Sequence, residues 1–304
     1  PTAGRVTMAG DDVQALMTVQ DIARFATILR PRDSEPPILA APVREAVRQW
    51  MIELGAVDEL AAVKLEPRRT AMLSGPPGTG KTTLAHHLAA RLGLPLVLVD
   101  MAALISQWIG ETGKNVSNLF RACEQQADRM VLLLDEFDAI ATKRGDGGRS
   151  ADKEKNAIVI HLLQYIDRFP GTLIAATNRG DAIDPAIWRR FGMHLEIVEP
   201  DDECRFAILK RYLAPMELPD DALDTLTEIT AGASPALLRK LMEGIKRDMV
   251  LAPRYGQRTD ATAVFGRVMV SVQPHADSVV PPLWRDAWAK SEAHKLPWPP
   301  VLPS

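Results

Sequence analysis

Eight residues, Gly75 to Thr82 (GPPGTGKT), carry the spacing glycine, four residues, then Gly-Lys-Thr. That spacing suits a loop that wraps phosphate. Gly75, Gly78 and Gly80 leave the backbone free to turn N–H groups inward around phosphate oxygens. Pro76, Pro77, Thr79 and Thr83 complete the candidate cradle. A helix opening at Lys81 adds the partial positive charge of its first turn. Lys81 reaches the outer phosphates in such a loop, and the Thr82 hydroxyl is a ligand for Mg²⁺.

Two further stretches supply complementary groups. In VLLLDEFD (131–138) four apolar residues read as a buried strand, and Asp135 and Glu136 emerge at its C-terminal end. Ligands sit at that end of the strands in open α/β sheets. Asp135 is then placed to complete the Mg²⁺ shell, and Glu136 to polarise an attacking water as general base. LIAATN (173–178) ends another apolar run at Thr177 and Asn178. The Asn178 amide is a candidate for positioning that water near a γ-phosphate, although an asparagine at a strand end is equally a turn former.

The elements that must hold these groups are visible as texture. DDVQALMTVQDIARFATILR (11–30) has helical spacing of Val13, Leu16, Met17, Ile22, Phe25 and Ile28, and APVREAVRQWMIELGAVDEL (41–60) is a second helical stretch. From residue 70, apolar strands alternate with helices: TAMLSG, then KTTLAHHLAARLG; LPLVLVDM, then GKNVSNLFRACEQQA; MVLLLDEF, then DKEKNAIVIHLLQYIDRF; then GTLIAATN and MHLEIVEP. Such alternation predicts an α/β fold with a parallel sheet covered by helices on both faces. After Pro200 the pattern turns all-helical, which predicts a second, smaller helical domain. The stretch from Pro253, with many prolines and Trp284, Trp288 and Trp298, reads as an extended or loosely docked tail with one short helix, LWRDAWAKSEAHK.

Composition narrows the class. The 304 residues are 46% hydrophobic and 25% charged, with a formal net charge of −3, which suits a globular chain of two domains and argues against a dedicated nucleic-acid binder. The two cysteines, Cys123 and Cys204, are far apart in sequence and have no metal-ligand spacing, so they read as reduced thiols of a cytoplasmic protein. No apolar run is as long as a membrane span, and PTAGRVTMAGDDVQ at the start has no signal-peptide core.

With GPPGTGKT, GETGKNVSNLF, LLLDEFDAIA, AATN and DPAIWRRF in this order, the chain resembles the AAA+ ATPases, and within them the AAA branch, over roughly residues 40–250. The resemblance implies a nucleotide-binding α/β domain over 38–199 and a small helical lid over 200–252. An N-terminal helical segment, 1–37, precedes them and the tail, 253–304, follows. It implies ATP and Mg²⁺ as ligands and a homo-oligomeric ring, usually a hexamer. Such a ring threads and remodels a polypeptide through its pore.

The resemblance also assigns residues. Trp108-Ile109-Gly110 stands where the family has its pore loop, so Trp108 is expected to grip substrate; an aromatic ring offers a large contact area at little rotamer entropy. Arg190, and after it Arg189, match the arginine-finger region; a further arginine of many relatives is Met193 here. SPALL (234–238) replaces the lid signature, with Pro235 and Ala236 near the adenine and Arg239 or Lys240 either a lid sensor or residues of a solvated helix face; the usual Gly-Gly adenine-side signature is not recognisable, and Ile38 and Leu39 are weak substitutes for it. Lys143 to Lys155 is either a mobile loop facing the pore or a neighbouring subunit, or simply a solvated one. His86 and His87 read as ordinary helix residues, and no H-E-x-x-H occurs.

A second reading is a nucleic-acid motor or loader, for which Lys114, Lys143, Arg144 and Arg149 give footing against an acidic whole. A third is a nucleotide-gated assembly switch without threading, against which the intact Glu136 counts.

Overall fold

The structure, a computed structural model, describes residues 9–101, 104, 114–141, 162–275 and 279–302. The chain divides into two compact units. One draws on residues up to Pro37, on Pro42–Pro76 and on Lys81–Ile197; the other on Ile38–Ala41, on Pro77–Gly80 and on the chain from Val198 onward.

In the first unit the described residues form a six-stranded sheet: β1 (Ala26–Leu29), β2 (Thr70–Ser74), β3 (Leu96–Val99), β4 (Val131–Leu134), β5 (Thr172–Thr177) and β6 (Met193–Glu196). The spatial order is β1-β3-β4-β5-β2-β6. β1 runs antiparallel to β3 and every other pairing is parallel. All four residues of β4 and all six of β5 are buried, as expected for central strands covered on both faces. The helix Lys81–Arg91 buries Leu84, Ala85, Leu88 and Ala89, one apolar stripe at helical spacing. β5 lies between β2 and β4. The residues that end β5 therefore stand between the loop after β2 and the carboxylates after β4. The α/β fold with a parallel sheet and helices is borne out.

The N-terminal stretch departs from its helical reading. Helices cover Ala9–Thr18 and Gln20–Phe25, but Ala26–Leu29 is a strand. Leu16, Ile22 and Phe25 are buried in the core beneath the sheet, whereas Met17 is 52% exposed. The ladder continues past β1, since the Asp100 N–H donates to Phe25 O at 2.9 Å. Pairing with the exposed edge of β3 satisfies backbone groups that a longer helix would leave to that strand unmade.

The second unit is helical: Asp202–Leu213, Asp220–Ile229, Pro235–Leu251, Ala261–Ser271, Pro282–Arg285 and Ala287–Lys295. Three of these helices are capped by side chains, Asp201 accepting from the Cys204 N–H, Ser234 from that of Leu237 and Asp260 from that of Ala263. Gly244 lets the helix Ala261–Ser271 approach closely, because a Cβ there would lie 2.9 Å from a Val268 methyl.

The loosely docked tail with one short helix is overturned. Val264, Phe265, Leu283, Ala289 and Ala293 share a core with Leu209, Leu226, Leu238 and Leu241, all essentially inaccessible. The predicted helix 283–295 is broken at Asp286, and Ala261–Ser271 is an additional helix. The tryptophans tie the segment down: Trp284 Nε1 donates to Val272 O and Trp298 Nε1 to Thr259 O, each at 2.7 Å. Val301 pairs with Glu217 through two backbone hydrogen bonds. Among the described residues no helix is long and apolar enough to cross a membrane.

Candidate active site

The loop after β2 turns through positive φ at Gly75 (144°), Gly78 (80°) and Gly80 (95°). At Gly75 nothing but glycine fits, since a Cβ would lie 2.0 Å from Ile197 O. That approach is fixed by the ladder, in which the Ile197 N–H donates to Ser74 O at 2.7 Å. Thr79 is buried, Pro77 and Thr83 are exposed, and a Cβ at Gly80 would meet no described atom. The loop thus offers an open cradle of the kind that phosphate oxygens fill.

Lys81 is only 6% exposed. Its ammonium donates to Gly75 O at 2.7 Å and Pro76 O at 2.8 Å. Burial pushes its pKa below the ordinary lysine value, and the carboxylates of Asp135 and Asp138 oppose that shift. Thr82 Oγ1 donates to Asp135 Oδ2 at 2.6 Å. A hydroxyl and a carboxylate side by side are hard oxygen donors, which fit Mg²⁺ completed by phosphate oxygens.

After β4 the chain turns sharply. Glu136 adopts a left-handed φ of 53°, a conformation that costs a non-glycine residue about 1–2 kcal/mol. Its N–H donates to Asp135 Oδ1 at 2.9 Å, and its side chain is exposed. The turn sends Phe137 into the core, where its N–H donates to Ala176 O at 2.9 Å. Asp138 then meets the end of β5: its Oδ1 accepts from Thr177 Oγ1 at 2.9 Å and from the Asn178 N–H at 3.2 Å. The sequence reading missed Asp138, although a carboxylate three residues after Asp135 was its signal.

Asn178 is exposed and lines a cleft of ≈ 550 Å³ with Ser74, Gly75, Pro76, Asp181 and His194. The same wall holds Trp188, stacked on His194 with ring centroids 4.1 Å apart. His194 Nε2 lies 2.9 Å from Trp188 O, so this pair closes the short helix Pro185–Trp188 just before the two arginines. Arg190 is ion-paired with Asp167, 23 residues away in sequence. Arg189 is exposed and, among the described residues, makes no ion pair.

The lid candidates lie in the second unit. Ser234 caps the helix that Pro235 opens, and the Ala236 N–H donates to Gly78 O at 3.2 Å, both residues belonging to that unit. Arg239 donates to Glu243 at 2.7 Å and lies over the Tyr212 ring. Trp108, Ile109, Gly110 and residues 143–155 lie outside the described residues. His86 is an ordinary helix residue whose Nε2 is 2.9 Å from Arg30 O. Both cysteines are buried, and burial pushes the Cys123 thiol up to about 12.

Comparison with known proteins bears on this geometry. Residues 71–198 match the family described as "ATPase family associated with various cellular activities (AAA)". The chain is 32% identical over 236 residues to a proteasome-activating nucleotidase of Methanopyrus kandleri, covering 69% of this chain and 54% of that one. It is 39% identical over 199 residues to a cell division cycle protein 48 homolog of Archaeoglobus fulgidus, covering 63% and 26%. The chain spans about half the length of the proteasome-activating nucleotidases it matches. Among solved structures, the FIGL-1 AAA domain in complex with ADP superposes with a TM-score of 0.65 at 21% identity, over 91% of this chain and 94% of that one. That likeness speaks to the fold.

Proposed function

Since residues 71–198 form a domain of the AAA branch of the AAA+ ATPases, we propose that this chain binds Mg-ATP at the loop Gly75–Thr82 and hydrolyses it to ADP and phosphate. The observation that carries the reading is the 2.6 Å contact between Thr82 and Asp135, with Lys81 buried beside it. Thr82 and Asp135 are the residues that would hold Mg²⁺. The ion, when bound, offsets the negative charge of the phosphate oxygens.

Lys81 exchanges its two loop carbonyls for phosphate oxygens. Glu136, exposed at its strained turn, accepts the proton of the attacking water. Asn178, at the end of the strand between β2 and β4, orients that water. Pro235, Ala236 and Arg239 border the nucleotide from the lid, and Arg239 must leave Glu243 to touch it. Arg190 acts from a neighbouring subunit, after leaving Asp167, with Arg189 as the second candidate. A finger of this kind contributes on the order of 10³–10⁵ in rate where it has been measured.

The chain works as a homo-oligomeric ring, a hexamer, in the cytoplasm. The ring moves or unfolds a polypeptide gripped by Trp108, Ile109 and Gly110. The likeness to a proteasome-activating nucleotidase supports a protein substrate over a nucleic acid. The test is the ATPase rate of the chain alone, with unfolded polypeptide, and with single- or double-stranded DNA. Stimulation by polypeptide that disappears in Trp108→Ala supports threading. Stimulation by DNA alone supports the loader reading instead, and a rate that responds to neither supports the nucleotide-gated switch.

A further inference from the structure

Three hydrogen bonds join the end of β4 to the end of β5, and a fourth braces the end of β5 itself. The Phe137 N–H donates to Ala176 O at 2.9 Å. Thr177 Oγ1 and the Asn178 N–H both donate to Asp138 Oδ1, at 2.9 and 3.2 Å. The Arg179 N–H in turn donates to Thr177 Oγ1 at 3.0 Å. Residues 177 and 178 therefore donate to one carboxylate oxygen, and residue 179 is tied to it through the Thr177 hydroxyl. Asn178 itself lines the cleft beside Gly75 and Pro76.

We infer that Asp138 is a positioning residue, whose carboxylate sets the backbone of 177–179 and through it the direction in which the Asn178 amide faces the phosphate loop. The inference rests on the ATP-hydrolysis reading for its consequence, although not for its geometry. The residue's place explains why it is Asp. Glu136 turns left-handed and Phe137 is buried with no exposed surface, so residue 138 returns to the sheet within one turn, where a short acceptor reaches two donors. Thr177 is 1% exposed, so its hydroxyl depends on a protein partner. A group that fixes another by hydrogen bonding controls rate through small displacements, because about 1 Å of misplacement costs on the order of 10²-fold.

Asp138→Ala and Asp138→Asn separate this role from a charge effect. Asn keeps an oxygen that can accept both bonds; Ala keeps none. In Asp138→Ala, kcat for ATP should fall by on the order of 10²-fold while KM moves by less than about threefold, the pattern of an interaction expressed in the transition state. Amide hydrogen exchange at Asn178 and Arg179 should rise roughly tenfold, the equivalent of one lost net hydrogen bond. Asp138→Asn should restore both readouts. Should Asp138→Ala fold poorly, Thr177→Val removes one of the two bonds in a near-isosteric way and should give a smaller fall in kcat with faster exchange at Arg179. Unchanged exchange in Asp138→Ala, equal impairment in the Ala and Asn variants, or faster exchange with full kcat would each overturn the inference. If the unsubstituted chain hydrolyses no ATP, the hydrolysis reading fails instead, and the exchange rates alone decide whether Asp138 fixes the strand end.

Discussion

At the C-terminal ends of β2 and β4 the backbone passes through positive φ at Gly75 and at Glu136, and the ammonium of Lys81 is buried with a depressed pKa. In the helices from Asp202 to Lys295 the local chemistry is the reverse. Their described non-glycine residues keep negative φ, three N-termini carry side-chain caps, and the buried surface is almost wholly apolar. Among the described residues the one buried charge there, Arg205, donates to Thr227 O, Pro200 O and Asp202. Strain and buried charge thus gather where chemistry is proposed, and relaxed packing where only stability is required. Substitutions in the first region should change rate at little cost in stability, and those in the second should change stability.

The sharpest probe is Glu136→Gln, which keeps the turn and the size of the side chain and removes the base. The expected outcome is a fall in ATP turnover of about 10²–10⁴-fold, with an unchanged denaturation midpoint, read by phosphate release and thermal unfolding. Phe265→Ala inverts the signature. This ring is fully buried against Trp298, and its loss should lower unfolding free energy by about 3–5 kcal/mol in urea titrations. Had the segment after Pro253 been loosely docked, the midpoint would not move.

Ser234→Ala removes the cap on Leu237 and should lower stability by about 1 kcal/mol. The smallest expected effect has the opposite sign. Lys64 adopts a φ of 60° where the helix Val57–Ala62 ends, with the Leu65 N–H donating to Leu60 O at 2.9 Å. Glycine suits that position, so Lys64→Gly should raise the unfolding free energy by up to about 1 kcal/mol. A loss there would show that the lysine side chain has a role that the backbone does not reveal.

What the sequence disclosed follows from how local each feature is. The phosphate loop is written in eight contiguous residues, and the central strands are apolar runs too short for helices, so both were legible. Asp138 was within reach of the same reasoning, but its role depends on β5 pairing with β4, which no local pattern states. β1 was hidden because Phe25 passes directly into Ala26 with no breaker between helix and strand. The helix Ala261–Ser271 was hidden by Gly266 and its β-branched Val264, Val268 and Val270, which weaken the helical signal. Asp260 as its cap was the available clue. The pairing of Arg190 with Asp167 joins residues on separate elements and had no sequence signature.

The most direct test of the central claim is phosphate release from ATP by the unsubstituted chain and by Lys81→Ala, each with Mg²⁺ and with the Mg²⁺ chelated. The expected result is saturable hydrolysis that needs Mg²⁺ and is lost in Lys81→Ala. Equal phosphate release from the two proteins, or none from either, would contradict the assignment of Gly75–Thr82 as the site of ATP hydrolysis.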